Sequence, residues 1–204
     1  LIAWQDARSG ITDIYAQHVL ASGLIDTVWP TDGLALCTAV NSQNAPSITS
    51  DQAGGAIVTW FDLRNGANYD IYAQRVLASG TVDAGWPTDG RAVCTSSGSQ
   101  TYPIVVHDGG AGVIVAWQDV RTGSNDIYAQ RVLASGAVDA AWPTNGRAVS
   151  TASSNQFTPI LAGDGDGGAI VAWTDYRGGV AADIYAQRVA RHAYLGTPEA
   201  EMAG

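Results

Sequence analysis

The sequence predicts an all-β chain assembled from tandem copies of one unit of about 56 residues, and three observations carry that expectation. Tryptophans recur at Trp4, Trp60, Trp117 and Trp173, and the string Asp-Ile-Tyr-Ala-Gln begins at Asp13, Asp70, Asp126 and Asp183. A second tryptophan, always followed by proline, recurs at Trp29, Trp86 and Trp142, and a Gln-x-x-Pro pattern begins at Gln43, Gln100 and Gln156. Between these marks β-branched residues are frequent and Gly or Pro falls every few positions, which stops a helix before it gains length.

Each unit divides into four short strands. In the third unit a strand over Pro159 to Gly163 precedes the turn Asp164-Gly165-Asp166-Gly167-Gly168, and a second runs from Ala169 to Trp173. A polar loop through Asp175, Arg177 and Gly178 leads to a third strand, Asp183 to Val189. The fourth is clearest one unit earlier, where Ala134-Ser135-Gly136 turns into an arm carrying Trp142-Pro143 and Gly146 opens a strand from Arg147 to Thr151. Ile57-Val58-Thr59-Trp60 and its equivalents are apolar on both faces, the pattern of a strand covered on both sides. Four-stranded antiparallel sheets, repeated in tandem and covered on both faces, describe the blades of a β-propeller. A row of sandwiches would need about 100 residues per domain.

Counted this way, the chain carries strands two to four of a first blade, two whole blades, and strands one to three of a fourth. That is about three and a half blades in one domain over residues 1–190, followed by a tail, 191–204, that departs from the repeat. The tail supplies a missing outer strand in one arrangement, a second copy completes the ring as a homo-oligomer in another, and the blades belong to a larger ring in a third. The chain opens inside a unit and without Met, so the natural protein is expected to extend upstream.

Composition narrows the partners. The net charge is -9, from 19 acidic side chains against ten basic ones, all Arg, which sets the chain against nucleic acid at long range. No apolar run approaches the roughly 18–20 residues a membrane helix needs. Cys37 and Cys94 occupy equivalent places in successive units, too far apart for a disulfide, and Ser150 stands at the third; all read as small buried residues.

The pattern Ala-Trp-x-Asp-x-Arg-x-Gly, then Asp-Ile-Tyr-Ala-Gln-Arg, Trp-Pro-Thr-x-Gly, Gln-x-x-Pro and Asp-Gly-x-Gly-Gly-Ala resembles the repeats of secreted and surface bacterial β-propeller proteins, up to about Arg191. The resemblance implies an exported protein, secreted or held at the cell surface, whose propeller serves binding, sometimes beside catalytic domains. The Ser-x-Asp-x-Gly-x-Thr-Trp box of sialidase-like propellers is absent.

Candidate chemistry concentrates in the loop between strands two and three. It holds Asp62, Arg64 and Asp70, repeated as Asp119, Arg121 and Asp126, as Asp175, Arg177 and Asp183, and as Asp6, Arg8 and Asp13. Carboxylates accept and guanidinium donates in a fixed fork, so these groups, gathered on one face, suit a glycan or a polar protein ligand. The same trio suits an internal clamp, and its recurrence in every unit favours that use. Asp164 and Asp166, two residues apart in a Gly-rich turn, are the candidate metal ligands, with calcium the fitting ion; the equivalents at Asp51 and Asp108 keep only the first carboxylate, and a plain Asp-Gly turn is the competing reading. His18, His107 and His192 break the repeat without forming a zinc spacing, no serine elbow occurs, and Glu is confined to Glu199 and Glu201. Tyr69, Tyr102, Phe157 and Tyr176 vary between units and could present a carbohydrate platform or pack between sheets, while Tyr15, Tyr72, Tyr128 and Tyr185 read as core. The leading expectation is an exported binding or scaffold module for a glycan or protein that requires no cofactor. The alternative is a hydrolase, calcium-dependent in one form, acting on a sugar or lactone at the propeller axis.

Overall fold

Short strands bounded by glycine turns can pair only with their neighbours in sequence, and the computed structural model shows that arrangement throughout. It describes residues 1–196, in which 14 strands, all antiparallel, form four sheets, and no helix occurs among the described residues. The first sheet holds β1 (Ile2–Asp6), β2 (Asp13–Gln17) and β3 (Leu34–Cys37); the second β4 (Gln43–Ser50), β5 (Ala56–Asp62), β6 (Asp70–Val76) and β7 (Arg91–Cys94). The third holds β8 (Gln100–His107), β9 (Val113–Asp119), β10 (Asp126–Val132) and β11 (Arg147–Ser150); the fourth β12 (Gln156–Gly163), β13 (Ala169–Asp175) and β14 (Asp183–Val189). Among the described residues the first sheet thus lacks the leading strand of the unit and the last the trailing one, as the repeat count predicts.

The sheets stack in chain order, β1 against β4, β4 against β8 and β8 against β12. Strand alternation then gives each sheet one face toward the sheet before it and one toward the sheet after it. Ile57, Ile71, Ala73 and Trp86 of the second sheet point forward onto Val113, Val115, Trp117 and Tyr128 of the third. The third in turn sends Ile114, Ala116, Ile127 and Trp142 forward onto Val171, Trp173 and Tyr185. Both faces of β5 and β9 are therefore buried, which is why their sequences are apolar without alternation.

Two irregularities recur. The leading strand of the second, third and fourth sheets breaks register between Asn44 and Ser47, Thr101 and Ile104, and Phe157 and Ile160 respectively. Ala45, Tyr102 and Thr158 at these breaks have φ near +50° (47°, 50° and 50°), each just before the proline, which has no N–H to give to the ladder. The second recurrence is a glycine under the first tryptophan in three of the four sheets: Gly33, Gly90 and Gly146, all with positive φ, lie against Trp4, Trp60 and Trp117.

The turn that follows the third strand of each unit recurs after residue 190. Ala190–Gly196 repeats the turn of Leu77–Asp83, with Ala190 N donating to Tyr194 O at 2.8 Å as Leu77 N donates to Thr81 O at 2.9 Å, and Val189 bridges Leu195 as Val76 bridges Val82. The repeat thus runs on through 196 although the side chains differ. The remainder of the expected tail, 197–204, lies outside the described residues.

Candidate functional site

Residues i and i+2 of a strand share a face, so Trp60 and Asp62, the last residue of β5, point the same way. Trp60 Nε1 donates to Asp62 Oδ2 at 2.8 Å, and the same contact joins Trp117 to Asp119, Trp173 to Asp175 and, at 3.0 Å, Trp4 to Asp6. The chain then turns, and Arg64 places its backbone N on Asp62 Oδ1 (2.8 Å) and its guanidinium on Oδ2 (2.6 Å). Arg8, Arg121 and Arg177 repeat this on Asp6, Asp119 and Asp175. Each guanidinium carbon lies over the tyrosine of the next strand, 3.7–4.1 Å from the ring centre of Tyr15, Tyr72, Tyr128 or Tyr185. Arg64 also reaches back 3.2 Å to Cys37 Sγ of the preceding sheet, as Arg121 does to Cys94 and Arg177 to Ser150 Oγ at 3.3 Å.

These contacts account for most of the expected ligand residues. Asp62, Asp119 and Asp175 are fully buried and spend their oxygens on tryptophan and arginine within their own sheet. Hydrogen bonds from Arg8, first, and from Trp4 hold the Asp6 carboxyl well below the usual carboxylate range. At Asp175 burial works upward, but Arg177 and Trp173 outweigh it and hold the carboxyl down to about 2. The cysteine position was legible only as a small buried residue; its role as acceptor for the next sheet's arginine carries one faint signal, the substitution of Cys by Ser at the third occurrence. Both thiols are free and are pushed up to about 12 by burial, which disfavours the thiolate form.

The second carboxylates behave differently. Asp13, Asp70 and Asp126 are buried and take hydrogen bonds from Ser9, Asn65 and Thr122, whereas Asp183 is exposed. Burial raises Asp126, and it raises Asp70 to about 6, with the Asn65 amide opposing and the Asp62 charge adding. A raised carboxyl costs stability only once it ionises, so the cost is absent below the unfolded pKa near 4 and complete above pH 6. Asp70→Asn keeps an acceptor for Asn65 and is expected to gain roughly 1–2 kcal/mol at neutral pH and nothing near pH 3. Urea melts at the two pH values check this; an equal gain at both would place its origin elsewhere.

At the opposite end of the sheets lie the Asp-Gly turns. Asp164 Oδ1 accepts from Asp166 N and Gly168 N, both at 2.8 Å, and its Oδ2 accepts from Arg188 Nε at 2.7 Å, while Arg188 also reaches Asp166 at 3.2 Å. The same arrangement ties Asp51 to Arg75 and Asp108 to Arg131. Burial pushes the Asp164 carboxyl up, yet the Asp166 N–H and Arg188 win and hold it below its ordinary value. A cation at this turn would therefore have to displace the Arg188 guanidinium. No group of three or more His, Cys, Asp or Glu side chains suited to a metal occurs among the described residues. His18 takes the arginine's place toward Asp26 at 2.9 Å, and His107 Nδ1 accepts from Gly109 N. A cavity of about 620 Å³ opens beside the turns of the third and fourth sheets, bounded by Asp108, Ser135, Asp166 and Arg191.

What breaks the repeat is aromatic. Phe61, Tyr69 and Tyr102 meet edge to face, with ring centres 4.9 Å apart for Phe61–Tyr69 and 5.5 Å for Phe61–Tyr102. Tyr69 lies in the Asp-Arg loop, its carbonyl accepting from Gln100 N, so the trio sits at the same end as the clamps. The register break turns Tyr102 outward, leaving it 59% exposed, where the first unit has Ala45 and the third Thr158. Phe157 and Tyr176 form a second pair, 6.0 Å apart, on the fourth sheet.

No family model matches the chain, and no curated protein matches it. No helix among the described residues is long and apolar enough to cross a membrane. Among solved structures, the chain is similar to an endo-arabinase of Bacteroides thetaiotaomicron at 16% identity and a TM-score of 0.47, over 89% of this chain and 68% of that one, a likeness too distant to carry any residue across.

Proposed function

We propose that the four sheets are consecutive blades of a β-propeller from an exported bacterial protein, and that the chain is a binding module for a glycan. The observation that carries the ligand class is the Phe61–Tyr69–Tyr102 cluster: a half-exposed tyrosine ring, braced by two further rings, on a position where the other units place alanine or threonine. A flat aromatic face suits the C–H face of a pyranose ring, and the phenol adds a hydrogen-bonding tip. The loop beside it supplies polar groups: Asn65 and Asn68 flank the cluster, each already oriented by Asp70 or by the Gly98 carbonyl. Arg8 and Arg177, the more exposed of the clamp arginines, add donors at the same end, while the clamp carboxylates remain committed to their sheets.

The test is titration of the chain with oligosaccharides of defined linkage. Tyr102→Ala is expected to weaken binding about tenfold or more, the equivalent of at least 1.4 kcal/mol, while Thr158→Ala leaves it unchanged. Equal affinity for the wild type and Tyr102→Ala would overturn the site, and binding of proteins but of no glycan would overturn the ligand class.

A further inference from the structure

At the end of the sheets away from the aromatic cluster, the junction between the third and fourth sheets departs from the repeat on both of its walls. The turn of the second sheet carries Gln52 and Ala53, but that of the third has Gly109 and Gly110, so two side chains are missing from one wall. On the facing wall Asp166 stands where the other turns have Ala53 and Gly110, and Arg191 stands where the earlier arms have Ala21, Ala78 and Ala134. The cavity of about 620 Å³ opens among these residues, inside the range of roughly 300–1,000 Å³ that small-molecule sites occupy. The arm that carries Arg191 is fixed by its neighbour: the Arg191 carbonyl accepts from Trp142 Nε1 at 2.9 Å, as the Ala134 carbonyl accepts from Trp86 Nε1 at 3.2 Å.

Most of the polar groups around the cavity are already spent. Asp108 is neutralised by Arg131, which also holds Asp139. The backbone N–H groups of Gly109 and Gly110 go to His107 Nδ1 and Asp108 Oδ1, and those of Asp166 and Gly168 go to Asp164. Arg191 differs. Its stem lies across Gly167, where an added Cβ would stand 3.1 Å from Cδ. Unlike the arginines of the clamps and turns, it has no carboxylate partner among the described residues. Asp166, with its side chain 86% exposed, has only a 3.2 Å contact with Arg188.

We propose that this cavity is a second binding site, for an acidic sugar: Arg191 takes the carboxylate of a uronic acid, and Asp166 and the Ser135 hydroxyl take its ring hydroxyls. A guanidinium offers a carboxylate two parallel N–H donors. One uncommitted cation balances one negative charge. A phosphate dianion would set its second charge against Asp166 and Asp108 with nothing left to meet it, so the single charge of a carboxylate fits better. The remaining polar groups favour a hydroxylated body over an alkyl one, because an alkyl chain would cover Asp166 and Ser135 without replacing their hydrogen bonds to water. The site stands apart from the Phe61–Tyr69–Tyr102 cluster, at the other end of the sheets.

Titration calorimetry with galacturonate and glucuronate, and with galactose and glucose as their neutral counterparts, tests the assignment. At least one uronate should bind, and its neutral counterpart should bind about tenfold or more weakly. Arg191→Ala, which restores the residue of the earlier arms, should lower uronate affinity about tenfold or more with no change in circular dichroism, while Tyr102→Ala leaves it unaltered. Absence of uronate binding, equal binding of acid and neutral sugar, or undiminished binding by Arg191→Ala overturns the proposal. So does inorganic phosphate that binds more tightly than the uronate and displaces it, which would reassign the cavity to a phosphorylated ligand. Uronate binding lost in Tyr102→Ala and kept in Arg191→Ala would move the acid to the aromatic site and remove this one. Uronate binding that needs Arg191, in a chain that binds no neutral oligosaccharide, would keep this site and remove the aromatic one.

Discussion

Arg131→Met should lower the free energy of unfolding by about 3–5 kcal/mol at neutral pH, the largest loss expected from a single charge change in this chain. The arginine is buried and its guanidinium serves two carboxylates, Asp108 on the turn between β8 and β9 at 2.5 Å and Asp139 on the arm after β10 at 2.9 Å. Methionine fills the volume of the stem but leaves the Asp108 charge buried with only the backbone N–H groups of Gly110 and Gly112 beside it. Burial pushes the Asp108 carboxyl up, yet Arg131 and the backbone N–H groups hold it below its ordinary value in the native protein. A depressed carboxyl contributes stability above the unfolded pKa and loses it as pH falls through the folded one, so the deficit of the variant should shrink below about pH 4. Urea denaturation across pH measures both the size and the trend. Adding Asp108→Asn should restore part of the loss, because it removes the stranded charge. A deficit below about 1 kcal/mol, or one unaffected by acid, would show that the pair is not what holds turn and arm together.

Gly146→Ala should cost about as much for a different reason. A Cβ at that position would lie 2.5 Å from Cη2 and 2.8 Å from Cζ2 of Trp117, a ring that is fully buried between two sheets and cannot withdraw. The backbone there also has φ +93°, which side chains rarely tolerate. Strain of about 1–3 kcal/mol and overpacking of about 1–3 kcal/mol together predict a loss of roughly 3–5 kcal/mol. Gly123→Ala separates the two: its φ is +102° but nothing stands within 4 Å of an added Cβ, so it should show the strain alone. Thermal melts of both variants decide the matter, and equal losses would mean that the tryptophan yields.

The number of sheets and the strands in each were readable from the sequence because period, turn residues and strand length are all local. Sheet membership followed from them, including the three strands described in the sheet at either end. The clamp was half readable. Trp60 and Asp62 are two apart on one strand and so share a face, but the reach of Arg64 to Cys37 crosses from one sheet to the one before it, and no spacing announces that. The same limit hid Tyr102, since Gln-x-x-Pro marks the strand but not the register break that turns one residue outward. Residues 191–196 read as a departure because the glycine of the earlier arms is absent; the chain keeps the turn by placing Ala193 at φ 64° where Gly80 and Gly136 have 74° and 78°.

The clamps of Arg64, Arg121 and Arg177 each join their own sheet to the sheet before it, and Trp86 and Trp142 each donate to the arm of the sheet after theirs, at the Ala134 and Arg191 carbonyls. A unit therefore carries a complete socket and a complete plug for any other unit. A recombination that inserts or removes one repeat at the gene level breaks no contact that the new neighbours cannot remake, so the length of such an array can drift in descent while the chemistry of every joint stays the same.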